Sequence, residues 1–143
     1  MNFELVTLDG VKFKADIYEV VLPTASGQIT VLPGHEPLLS QLVAGVIAIR
    51  RNKGDADHHV EHFASYGGVV EISKTGARVL VDEASHGEEI SLAEAQKAHD
   101  EALRLRKDAK TQVELDKAQS LVDRHAVRLQ VADLKRRHSR RQG

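Results

Sequence analysis

From its first residues the chain alternates apolar and polar positions. Phe3, Leu5 and Thr7 share one face of an extended segment, Asp9-Gly10 carries a hairpin-turn signal, and Val11, Phe13 and Ala15 alternate back. Further apolar runs lie at 17–22, 28–32, 38–43, 46–51, 60–65, 69–72 and 77–81. Turn-forming residues separate them at 23–27, 33–37, 44–45, 52–57, 67–68 and 74–76. Short runs with a turn signal at such regular spacing predict about ten strands in two small packed sheets.

The pattern changes near residue 88, from a period of two to a helical period. Ser91-x-x-Glu94 fits a capping box, and Ala95, Ala98, Ala102, Leu105 and Ala109 follow on one helical face. A second capping box at Thr111-x-x-Glu114 precedes Leu115, Ala118, Val122, His125, Leu129 and Ala132. The two stripes are out of register across 109–115, which predicts two antiparallel helices at about 91–109 and 112–137. The fold class is therefore α+β in two parts: a β-sandwich over 1–87, then a two-helix hairpin with a basic tail over 88–143. Mostly alanine stripes bury little surface per residue, so closed, opened and fully extended hairpins differ by only a few kcal/mol.

Composition sharpens the boundary. All three prolines, all five aromatics and nine of ten glycines precede residue 88. Charge splits there too. Residues 1–88 carry 7 Lys+Arg against 12 Asp+Glu, and residues 89–143 carry 13 against 9. From Arg124 onward seven basic residues face Asp133 alone, so this end is expected to meet something acidic. With no cysteine there is no disulfide framework and no Cys-based metal or redox site. Neither a signal peptide nor a membrane-spanning run is expected.

The motifs of hydrolases, zinc proteases, P-loops and dinucleotide binders are absent from the sequence. Gly67-Gly68 reads as a turn. His58 and His62, on an expected strand, stand about 13 Å apart, too far for one ion, and no metal site is expected. His125 reads as a packed hairpin residue, and Asp82-Glu83 and Glu88-Glu89 as solvated turn charges. Catalysis by this chain alone is not expected. The basic tail leaves a nucleic-acid-binding module as the alternative, although no aromatic in the tail could stack a base.

One stretch asks for more than a turn. Pro33, Gly34, His35, Glu36 and Pro37 stand between two apolar runs, and two fixed φ angles make a stiff corner. The segment ITVLPGHEPLLSQL, with FELVTLDGVKF, SYGGVVEI and VLVDEASHGEEISLAEAQKA, closely resembles the ε subunit of bacterial F-type ATP synthase, called δ in mitochondria. The resemblance spans the whole chain. It implies a non-catalytic rotor subunit of the central stalk, coupling proton translocation to ATP synthesis. The implied partners are the γ subunit, the c-ring, and the α and β subunits. The implied location is peripheral, on the cytoplasmic face of the plasma membrane.

By the same resemblance, Pro33, Gly34, His35, Glu36 and Pro37 form the loop facing the c-ring and γ. The hairpin is a regulatory arm able to leave the sandwich and restrain ATP hydrolysis, with Arg124, Arg128, Lys135, Arg136 and Arg137 contacting the β subunit. A coupling adaptor without inhibitory action is the other reading within the family. Some relatives sense ATP through Ile/Leu-Asp-x-x-Arg-Ala. The matching positions here are Ile90, Ser91, Glu94 and Ala95, with Ser for Asp and Glu for Arg. A carboxylate in place of a guanidinium repels phosphate, so no nucleotide cofactor is expected.

Overall fold

A computed structural model describes the backbone of residues 1–142 and the side chains of residues 1–138. Eight strands precede two helices: β1 (Asn2–Thr7), β2 (Gly10–Asp16), β3 (Glu19–Thr24), β4 (Gly27–Val31), β5 (Leu38–Arg50), β6 (Glu61–Ser73), β7 (Gly76–Val81), β8 (Ala84–His86), α1 (Leu92–Asp108) and α2 (Gln112–Gln142). The strands are hydrogen-bonded in the order β2-β1-β7-β6-β5-β3-β4, with β8 added to β6. β1 and β7 run parallel, and every other pair is antiparallel.

The count is eight rather than about ten because two expected turns are not turns. The runs 38–43 and 46–51 merge in β5, and 60–65 and 69–72 merge in β6, each a strand of 13 residues. At Ala44-Gly45 and Gly67-Gly68 the chain continues but the side-chain phase slips. Ile47 and Ile49 enter the core from odd positions and Leu42 from an even one; Phe63 is odd, and Val70 and Ile72 are even. Both strands slip together, so their pairing stays in register throughout. The slip turns the sheet over on itself and closes the sandwich, as strands do at sandwich corners. Gly68 makes it feasible: its φ is 152°, and a Cβ there would overlap the Leu80 carbonyl oxygen.

Between the layers lie Phe3, Leu5, Val20, Leu22, Val31, Ile47, Phe63 and Val79, all nearly or completely buried. Among the described residues none beyond Ala84 belongs to this core. A second, smaller cluster lies outside the sandwich, where Ala64 and Val46 on the outer face meet Ile90, Ala95, Val127, Val131 and Ala132. Thus β6 is buried on both faces at Phe63 and Ala64, which explains its nearly continuous apolar character there.

The hydroxyl half of each expected capping box is built, whereas the return bond from Glu94 to Ser91 is not found and Glu114 reaches back to Lys110 instead of Thr111. Ser91 Oγ accepts from the Glu94 amide at 3.3 Å, and Thr111 Oγ accepts from the Glu114 amide at 3.1 Å. Glu114 in turn accepts from the Lys110 amide at 2.9 Å. The stripes are only partly as expected. Ala95, Ala102, Ala118, Val122 and Ala132 are buried, but Leu105 is 54% exposed and Leu115 39%. In the joint Arg106 instead donates to Gln119 Oε1 at 3.1 Å.

Candidate functional site

Two surfaces carry the sequence-predicted residues, and they lie on different parts of the fold. The first is the turn between β4 and β5. The His35 amide donates to the Leu32 carbonyl at 3.1 Å, and His35 Nδ1 lies 2.7 Å from the Glu36 carbonyl oxygen. The His35 imidazole is thus held against the loop backbone rather than projecting freely. Pro33, Gly34, Glu36 and Pro37 are exposed, and the loop is flanked by Leu32, Leu38 and Leu39, of which Leu39 is 75% exposed. A stiff polar tip bordered by exposed leucines suits a protein contact better than solvent.

The same edge continues into an apolar groove on the bare outer face beyond the phase slip. Val43 and Leu80 are each 42% exposed there, Leu8, on the β1–β2 turn, is 82% exposed, and Val69, paired with Leu80 outside the groove, is also 42% exposed. The sequence reading missed these residues because a one-position slip changes which of Val69 and Val70 faces out. A Gly-Gly pair between two alternating runs of opposite phase is the signal that could have found them.

The second surface is the seam between α2 and the sandwich. Val131 is completely buried against Gly87, where an added Cβ would stand 3.3 Å from Val131 Cγ1 and 3.5 Å from the His62 carbonyl oxygen. Absence of a side chain at Gly87 lets the helix lie that close. Val127 and Val131 were not in the predicted stripe, which follows the α1-facing side; α2 buries a second side on the sandwich.

Basic residues line this seam and reach back to acidic ones. Arg124 donates to Glu83 Oε2 at 2.5 Å, and its guanidinium lies 4.3 Å over the Tyr66 ring. Lys135 Nζ is 3.1 Å from Glu88 Oε2. Glu83 and Glu88 are therefore partners of the helix rather than solvated turn charges, and Glu89 pairs with Lys12 at 2.7 Å. Arg136 and Arg137 both meet Asp133 within α2, at 2.7 and 3.0 Å. Arg128 lies half-buried, its Nε without a hydrogen bond among the described residues. His125 is half-buried beside it. Burial, with Arg128, Arg124 and His99 nearby, holds its pKa below the ordinary histidine value. Arg140 and Arg141 lie outside the residues whose side chains are described.

The His58–His62 segment is not a strand throughout: residues 57–59 form one turn of 3-10 helix, and β6 begins at Glu61. His58 and His59 stack edge to face at 4.2 Å, and His62 faces α2. Among the described residues no group of three or more His, Asp or Glu side chains is placed to hold a metal.

Of the degenerate nucleotide-motif positions, Ile90 lies just before α1 and is buried, Ser91 is the N-cap of α1, and within its first turns Glu94 is exposed and Ala95 buried. Among the described residues no helix is long and apolar enough to cross a membrane.

Fold and surfaces together define the class: a β-sandwich with an exposed apolar edge, carrying a two-helix arm docked on its outer face. Residues 1–87 match the family model for the ATP synthase delta/epsilon chain β-sandwich domain. Over 118 residues the chain is 32% identical to the ATP synthase epsilon chains of Brucella canis and of Brucella abortus, covering 82% of this chain and 84% of theirs. Its fold resembles a chain in the Euglena gracilis mitochondrial ATP synthase, with a TM-score of 0.77 and 22% identity over 92% of this chain and 79% of that one. A chain in the Tetrahymena thermophila mitochondrial ATP synthase central stalk and c-ring gives 0.63 and 16% over 91% and 94%. The chain belongs to the ATP synthase delta/epsilon family. It is a non-catalytic subunit of that membrane-associated complex.

Proposed function

We propose that the sandwich is the rotor's coupling element and the hairpin a detachable arm that restrains ATP hydrolysis. The 33–37 loop and the exposed Leu8, Leu39, Val43 and Leu80 form the edge that meets γ and the c-ring. The location that goes with these contacts in our reading is the cytoplasmic face of the plasma membrane. The observation that carries the regulatory half is the double use of Arg124 and Lys135. In the docked arm both are paired with Glu83 and Glu88, so an acidic partner has to compete with these carboxylates until α2 leaves. Docking and contact with the β subunit then compete, and a weak docking energy suits an arm that must exchange one for the other. Ser91 and Glu94 serve as helix cap and first-turn carboxylate, which supports regulation without bound nucleotide.

The test is ATP hydrolysis by a head of α, β and γ subunits, with either the full chain or residues 1–88 added. The truncated form keeps the entire sandwich core and is expected to fold and bind γ. Slowed hydrolysis with the full chain alone supports the arm. Equal binding without slowing by either form makes the chain a coupling adaptor. No binding of γ by either would return the basic tail to nucleic acid.

A further inference from the structure

We propose that the histidines gathered where α2 crosses β6 and β8 form a pH-sensitive latch, whose protonation in mild acid frees the hairpin from the sandwich. The inference rests on α2 being detachable, and not on what the released arm touches.

The cluster surrounds a small cavity of about 160 Å³ between the two parts of the fold. From β6 come Glu61 and His62, from β8 His86, from the 3-10 turn His58 and His59, and from the turn after β8 Glu88. From α2 come Lys135 and His138, the His138 ring 5.3 Å from that of His62. The carboxylates are already engaged. Glu61 binds Arg51 at 2.7 Å and lies 3.4 Å from His86 Nε2, and Glu88 binds Lys135. Nearby Asp57 binds Arg50 at 2.9 Å.

A proton on His62 would therefore sit in a half-buried position whose nearest carboxylates serve other cations. It would also face Lys135, with the His138 and His86 rings beside it. Consistent with this, burial first, then His138 and His86, lower the His62 pKa to about 4. The sign follows. Docked His62 favours the neutral form, so docking is at full strength above the ordinary histidine pKa of about 6.5. It weakens as pH falls from there toward 4. Releasing α2 removes the His138 ring and opens His62 to water, which raises its pKa toward the ordinary value, while His86 stays on the sandwich. If α2 supplied the whole shift, the docked-to-released ratio would fall about 25-fold between pH 7.5 and pH 5, so this is the ceiling.

Because the chain lacks cysteine, Lys53→Cys and Lys97→Cys in the full chain can carry a donor–acceptor dye pair reporting docking. The expected result is falling transfer from pH 7.5 to pH 5 with the strand circular-dichroism signal intact, and a flattened profile in His62→Gln. Constant transfer to pH 5, or an unchanged transition in His62→Gln, overturns the latch. Should His62→Gln loosen the arm at every pH, the wild-type His62 Cε1 proton resonance decides. Titration well below 6.5 supports the latch, and titration near 6.5 overturns it. Val131→Asp at pH 7.5 separates the two readings. Release by Val131→Asp but not by acid defeats the latch and leaves the arm standing; release by neither defeats both.

Discussion

Val131 is the residue on which the detachable arm can be judged. It is completely buried on α2, in the outer cluster with Ala64, Ile90, Ala95, Val127 and Ala132, and it contributes nothing to the sandwich core. Val131→Ala removes two methyl groups, each worth about 0.8 kcal/mol of transfer free energy. The site collapses only partly, because the Gly87 backbone beneath it belongs to the sandwich; a cavity contribution brings the loss to about 2 kcal/mol. Every 1.4 kcal/mol is tenfold, so docking should weaken roughly 30-fold. Three of the five other buried residues of the cluster are alanines, too short to reach into the space left behind. Hydrogen exchange in the full chain gives the readout. Amides on the sandwich side of α2 should exchange about 30 times faster, while β1, β3 and β7 keep the protection of the wild type. The strand signal in a urea melt should keep its midpoint. If protection in α2 and in the β-strands fell together, the chain would be one cooperative unit, and the reasoning would be wrong.

Three further outcomes follow from the same geometry. Arg124→Ala should weaken docking by under about 1 kcal/mol, because Arg124 and Glu83 are 34% and 50% exposed; adding salt should shrink the difference between wild type and variant in the exchange assay. Gly68→Ala places a Cβ against the Leu80 carbonyl in a backbone conformation that alanine resists, and should cost the sandwich at least about 2 kcal/mol in the urea midpoint. An unchanged midpoint would mean that the phase slip does not depend on glycine. Thr111→Ala removes the α2 cap and should cost about 1 kcal/mol, seen as faster exchange in the first turn of α2 while the sandwich is unaffected.

The sequence by itself determined the local vocabulary of this protein. Alternation at Phe3, Leu5, Phe13, Val20 and Leu22 made strands, and the hydroxyls of Ser91 and Thr111 set where the helices start. These are short-range effects, written within a few residues of where they act. The stiff corner of Pro33 and Pro37 belongs with them, since proline carries its φ wherever it stands.

Only the tertiary structure decided the rest. Gly67-Gly68 became a change of face inside one long strand: the opposite phases of its flanking runs hint at the slip, but that the chain continues rather than turns depends on β5 slipping with β6. The sandwich-facing side of α2, with Val127 and Val131, was hidden because a helix touching two neighbours buries two stripes, and the α1-facing stripe was the more regular. Glu83 and Glu88 looked like turn charges because their partners, Arg124 and Lys135, lie 41 and 47 positions away. His62 owes its neighbour His138 to the same fold-back of α2. Periodicity reports which residues are buried locally; which surface buries them is settled by chain segments meeting across the fold.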